Sequence, residues 1–204
     1  MPAVARRTQA ERSASTQTRL LDAALDCLVE LGYGGTTTTE VAERAGVSRG
    51  AQLHHFPTRA ALVAAAVEHL FARLTADYQR GFAALPARAE RLRAAIELLW
   101  SMYATPHFPA VLELHTAART DDELRAHLEP IADRHQANVY RLARAYFPDA
   151  ARRGQRFDAT LTLLLDAMQG MAASPLRGPI GATARLDFLH ELAAAALTAG
   201  PELR

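Results

Sequence analysis

The stretch that most constrains this chain runs from Thr36 to Arg59, TTTTEVAERAGVSRGAQLHHFPTR. It reads as two short helices joined by a tight turn. Ala42 stands four residues before Gly46, and its small side chain lets the second helix approach the first. Gly46 supplies the backbone conformation a sharp turn needs, and Ser48 is a good N-cap for the helix that follows. That helix ends near His55 or Phe56, with Phe56 as a large anchor. A pair of this kind is a helix-turn-helix, whose second helix enters the major groove of DNA.

The flanking sequence supports such a head. Leu20, Leu21, Ala24, Leu25, Leu28 and Leu31 recur at three- and four-residue spacing and predict an amphipathic helix over 16–31, ended by Gly32, Gly34 and Gly35. Thr37 or Thr38 can cap the next helix, in which Val41, Ala42 and Ala45 face inward while Glu40 and Arg44 pair outside. Pro57-Thr58 breaks and recaps the chain into a long helix from Arg59 to about Gln79. Further helices are expected over 87–104, 107–118, 121–146, 157–173 and 183–199, with Pro130 kinking the helix that contains it. FPDAARRGQ and SPLRGPIG read as loops. No strand-like alternation persists. The fold class is all-α, with a three-helix helix-turn-helix domain over 16–59 and a larger helical domain over 60–204. Residues 1–15 read as a mobile arm, and Arg6, Arg7, Arg12 and Arg19 against Glu11 make this end basic. The arm either reaches phosphates and a minor groove or is a solvated tail.

Composition narrows the function. Half the residues are hydrophobic and 22% are charged, so a sizeable core can form. A net charge of +1 means that DNA binding must come from a local patch. All 23 basic residues are Arg, as in proteins of GC-rich genomes, so every cation is a guanidinium suited to bidentate contact with phosphate or guanine. Cys27 is alone on an apolar helix face and reads as a buried small hydrophobe, consistent with a reducing cytosol. Residues 1–15 are polar and Arg-containing, so no signal region is expected in them, and no segment approaches the roughly 20 apolar residues a membrane span needs. The chain is expected to be cytoplasmic, with no membrane partner. It has no G-x-S-x-G, phosphate loop, H-E-x-x-H or placed Cys/His pair, so no catalytic residue, metal or cofactor is expected.

Residues 16–70 resemble the DNA-binding domain of the TetR family of bacterial repressors. The resemblance is carried by a first helix ending in LGYGG, then TTTTEVAERAGVS, then RGAQLHHFPTRAALV. Farther on, LELHTAARTDDELRAHL resembles a stretch of some members. The resemblance implies a homodimer on a palindromic operator in double-stranded DNA, released by a small molecule bound in the larger domain. The alternative is an effector-independent or architectural DNA-binding protein.

Candidate DNA contacts follow from position. Thr38 and Thr39 open the second helix, where hydroxyls and N–H groups can hold a phosphate or simply cap. Ser48 and Arg49 begin the recognition helix, and Arg49 can meet guanine O6 and N7 or a phosphate. Gly50 and Ala51 allow close approach, with room for a thymine methyl. Gln52 can read adenine if it faces the groove, although by resemblance the position is partly buried. His54 and His55 end the helix and, being adjacent, do not form a metal site; by resemblance the first of these positions faces the groove and the second touches phosphate. By resemblance Arg59 matches a phosphate-binding position. Gln52-Leu53 departs from the family's apolar-Tyr order, and Leu53 cannot make that tyrosine's hydrogen bond.

In the larger domain, Leu161, Leu164, Leu165 and Met171, with Leu186, Leu189, Leu192 and Ala196, exceed a single core-facing stripe. Helices this apolar are internal or shared with a second copy, and they are assigned to a four-helix dimer interface. Trp100, Met102, Tyr103, Phe108, Leu112, His115 and Met168 are candidates to line a site for an apolar or aromatic effector, although such residues also make ordinary core. His115, set in AVLELHTAA, reads as a buried imidazole, either satisfied internally or available as a polar handle.

Overall fold

A computed structural model of the chain describes residues 8–85, 91–174 and 181–198. Among the described residues the chain forms helices and connecting turns, with no strand. The first helix, α1 (Gln9–Gly35), starts well before Thr16. Thr8 and Glu11 form a reciprocal cap: the Thr8 hydroxyl accepts from the Glu11 N–H at 3.2 Å, and the Glu11 carboxylate accepts from the Thr8 N–H at 2.8 Å. The expected arm is therefore corrected over residues 8–15, which are N-cap and helix; Arg6 and Arg7 lie outside the described residues. Near its other end α1 is broken at Gly32, where φ is 67°, and the Thr36 hydroxyl donates to the Gly32 carbonyl at 2.7 Å.

Three helices follow closely: α2 (Thr38–Ala45), α3 (Arg49–His55) and α4 (Arg59–Ala83). Beyond them come α5 (Arg91–Tyr103), α6 (His107–Ala117), α7 (Asp122–Tyr146), the single turn α8 (Pro148–Ala151), α9 (Gln155–Ala173) and α10 (Ala182–Thr198). α7 runs as one helix through Pro130. The expected loop FPDAARRGQ contains α8, started by Pro148 where a missing N–H costs nothing. Residues 175–180 of the second expected loop lie outside the described residues. No helix of the described residues is long and apolar enough to cross a membrane.

The chain divides into two compact units, and the division is not where the sequence expectation cut it, after Arg59. One unit comprises Met1–Ala72 with Ala110–Ile131, and the other Arg73–Pro109 with Ala132–Arg204. The first is cored by Leu20, Ala24, Cys27, Val41, Leu62, Val63 and Leu114, all buried. Its α1 and α4 are also joined on the outside by His69 and Asp22, 3.1 Å apart. In the second unit, Ile96, Leu164, Met168 and Ala193 form a buried cluster, against which Leu92, Leu99, Trp100, Tyr103, Leu186 and Leu189 pack. A separate aromatic stack there places the Phe82 and Tyr146 rings 3.9 Å apart, with the Arg91 guanidinium 4.4 Å from the Phe82 ring centre.

Candidate nucleic-acid interface

The turn between α2 and α3 is built by backbone chemistry. Gly46 takes the left-handed conformation, φ 60° and ψ 41°, which side-chain-bearing residues rarely adopt. The Gly46 and Val47 N–H groups close α2 by donating to Glu43 and Ala42 carbonyls at 3.0 and 2.9 Å. Arg19 reaches across from α1, and its guanidinium donates to the Ala45 and Gly46 carbonyls, the latter at 2.9 Å. A cation there also opposes the negative end of the α2 dipole. Arg19 is thus committed to holding the turn, a role its place among the arm's charges did not reveal. Ser48 caps α3 through the Ala51 N–H at 3.3 Å. Thr37 caps α2 through the Glu40 N–H at 3.1 Å, leaving Thr38 and Thr39 in the first turn.

With α3 fixed at both ends, its two faces separate. Ser48, Arg49, Gly50, Leu53 and His54 are exposed, as is Thr39; Thr38, Ala51, His55 and Arg59 are half-buried. Gln52 is on the other face, 0% exposed, and its amide donates to the Phe56 carbonyl at 2.7 Å. Base reading by Gln52 is corrected accordingly. Its place is one helical turn from Phe56, itself 6% exposed, so both fall on the packed side. His54 and His55 touch edge-on, with ring centres 5.6 Å apart. Arg44, on α2, is held by the Glu30 and Glu40 carboxylates at 2.8 and 3.8 Å, and Arg49, which opens α3, is exposed.

In the same unit Tyr33, the tyrosine of LGYGG, is 8% exposed. Its N–H donates to Glu113 of α6 at 2.8 Å, and its hydroxyl donates to Asp121 at 2.8 Å. Arg59 lies 4.0 Å over the ring centre and donates to the Tyr33 carbonyl at 3.3 Å. The expected phosphate contact of Arg59 is therefore qualified, since this guanidinium already serves Tyr33. Asp121 also accepts the Leu124 N–H at 2.9 Å, capping α7. That bond and the Tyr33 hydroxyl hold its carboxyl below the usual carboxylate range. Burial, with the Asp121 bond second, pushes the Tyr33 phenol up.

The effector and dimer candidates are redistributed. Met168 is fully buried in the second unit's core, with Trp100 and Tyr103 packed against it, and the Tyr103 and Phe108 rings meet at 4.9 Å. Met102 and Phe108 are half-buried in that unit. His115 and Leu112 belong to the other unit, and His115 is exposed on α6, not buried as expected. Of the interface candidates, Leu164 is 8% exposed in its own chain's core, and Leu186 and Leu189 pack on that core. Leu164 is internal because it shares a face with Met168, whereas Leu186 and Leu189 are half-buried beside Ala193. Leu161, Leu165, Met171 and Ala196 are half-buried, and Leu192 is exposed. The most exposed large apolar side chains of these helices, Leu163 and Phe188, are not among the residues expected at the interface. Both stand in the same apolar runs, and only the helix orientation distinguishes them.

A capped seven-residue helix offering Arg49 and His54 beyond a glycine turn defines a DNA-binding regulator of the helix-turn-helix class. Residues 20–66 match the family described as bacterial regulatory proteins, tetR family. An HTH-type transcriptional regulator of Mycobacterium tuberculosis is 31% identical over 171 residues, covering 81% of this chain and 85% of that protein. The HTH-type transcriptional regulator CymR of Pseudomonas putida is 32% identical over 171 residues, covering 84% of each. A transcriptional regulator of Rhodococcus shares the fold, with a TM-score of 0.63 and 24% identity, over 89% of this chain and 93% of its own. The chain belongs to the TetR family.

Proposed function

We propose that this regulator is a homodimeric repressor that binds a palindromic operator and is released by a small apolar or aromatic molecule. The observation that carries the reading is the apolar surface of α9 and α10. Leu163, Phe188 and Leu192 are 69%, 58% and 49% exposed, and the last two are one helical turn apart. Large apolar side chains facing water mark a surface that a second copy covers, and a two-fold pair of heads matches half-sites one DNA turn apart. On this reading Thr38, Thr39, Ser48, Arg49, Gly50, Ala51, Leu53, His54 and His55 face DNA. The effector site belongs to the larger helical region, and Trp100 and Tyr103 are its first candidates.

Sedimentation and gel shift on the same samples test this. Wild type is expected to sediment as a dimer and to retard a duplex from its own promoter region. The Leu163→Asp/Phe188→Asp variant should keep its helical circular dichroism, sediment as a monomer and lose the shifted complex. A wild-type monomer would sink the dimer, and a double variant that stays dimeric would sink its assignment to the α9 and α10 surface. Trp100 is the chain's single tryptophan, so a ligand that quenches or shifts its emission and also releases the duplex identifies the effector class. Ligands that move the emission but never release DNA would favour a constitutive repressor.

A further inference from the structure

We propose that Leu53 reads the 5-methyl group of a thymine in the major groove, an inference that rests on the DNA-binding reading above. Leu53 is 45% exposed on α3, while its neighbour Gln52 is turned fully inward. One turn back on the same face are Gly50 and Arg49, both exposed. A Cβ at Gly50 would meet nothing within 4 Å, so the surface beside Leu53 is open. The reading face therefore has a guanidinium at its start, a bare backbone beside it, an isobutyl group in the middle and the His54 imidazole next along.

That sequence of groups selects the occupant. A lone leucine bordered by a guanidinium and an imidazole is too small an apolar patch for a protein partner, and the Arg49 guanidinium beside it suits a polyanion. Within the major groove the four base pairs differ by hydrogen-bonding atoms and by one apolar feature, the thymine methyl. An aliphatic side chain neither donates nor accepts, so the methyl is the only base feature Leu53 can distinguish. Arg49 remains available for a guanine or phosphate on the same helix face, and Gly50 allows the helix to lie close enough for a short side chain to touch the base edge.

The test uses the full chain and random duplex DNA. Wild type enriches a duplex from a randomised library. That duplex is then remade with deoxyuridine at each thymine in turn, which removes only the methyl. One thymine position per half-site should lose affinity about fourfold on removal of its methyl. The L53A variant, checked for an unchanged melting temperature, should bind the thymine and deoxyuridine duplexes equally. Overturning results are an enriched site without thymine, wild-type affinity indifferent to every replacement, or the same methyl dependence in L53A. If L53A folds poorly, L53N, of similar size but polar, takes its place, and an unchanged methyl dependence in L53N overturns the assignment to Leu53. Failure of wild type to enrich any duplex would instead overturn the DNA-binding reading itself.

Discussion

Gln52 and Leu53 are adjacent, yet one is fully buried and the other half exposed. Local pattern recognises the helix but leaves the inward direction of a polar residue open, because an amide suits either a base edge or a backbone carbonyl. The structure decides it through Phe56, whose carbonyl lies beyond the last turn of α3 and needs a donor. Replacing Gln52 by Ala leaves that carbonyl unpaired and should lower stability by about 1–3 kcal/mol, measured by urea denaturation. Specific and random DNA should be affected alike in filter binding. Selective loss on the specific duplex would return Gln52 to base reading. Arg19 was hidden for a similar reason: its partners are carbonyls of Ala45 and Gly46, which no side-chain pattern announces. By contrast Gly46, Ser48 and Phe56 were legible, since turn, cap and anchor are each demanded by local backbone chemistry.

At the scale of elements, the long helices were readable from their apolar spacing, and most ends lie near the expected residues. The early start of α1 was written in the chain as Thr8-x-x-Glu11, a reciprocal cap that arginine-rich surroundings disguised as an arm. What spacing could not convey is the tie from α1 to α4, α6 and α7 through Tyr33, because its partners Glu113 and Asp121 are remote in sequence. Tyr33→Phe keeps the ring under Arg59 and removes only the bond to Asp121. The expected cost is about 1 kcal/mol in denaturant-induced unfolding. The Asp121 carboxyl should also titrate closer to the ordinary carboxylate range, read by carbon-13 NMR. An unmoved Asp121 titration would show that the phenol hydroxyl contributes nothing there.

For the whole molecule, acidity is a sensitive variable. His190 is 6% exposed, and among the described residues neither ring nitrogen has a hydrogen-bond partner. Burial first, and the Arg93 charge second, pull its pKa below the ordinary imidazole value. An unfolded chain then takes up a proton that the folded chain refuses. Stability from this group is complete above the ordinary value of about 6.5 and falls as pH drops below it. Half-buried His135 is shifted in the same direction by burial. Thermal melts taken from about pH 7.5 to about 5.5 should show a falling midpoint, and His190→Leu should make the decline shallower. Equal slopes in both proteins would show that His190 does not control it.

The unit that carries the recognition helix is also discontinuous: it closes with Ala110–Ile131, long after Ala72. Its assembly in the cell must therefore wait. A nascent chain that has emerged only to Ala72 holds every residue of the recognition helix but lacks Glu113, Asp121, Leu114 and Leu124. At roughly 5–20 residues per second, synthesis leaves that incomplete head waiting for several seconds. A fragment ending at Ala72 should melt without a sharp transition by circular dichroism, whereas one continued to Ile131 should gain cooperativity. A sharp transition in the shorter fragment would mean that the head matures as soon as it is made. If it does not, a ribosome that stalls between the two points releases a protein with a complete DNA-reading sequence and no finished surface to present it.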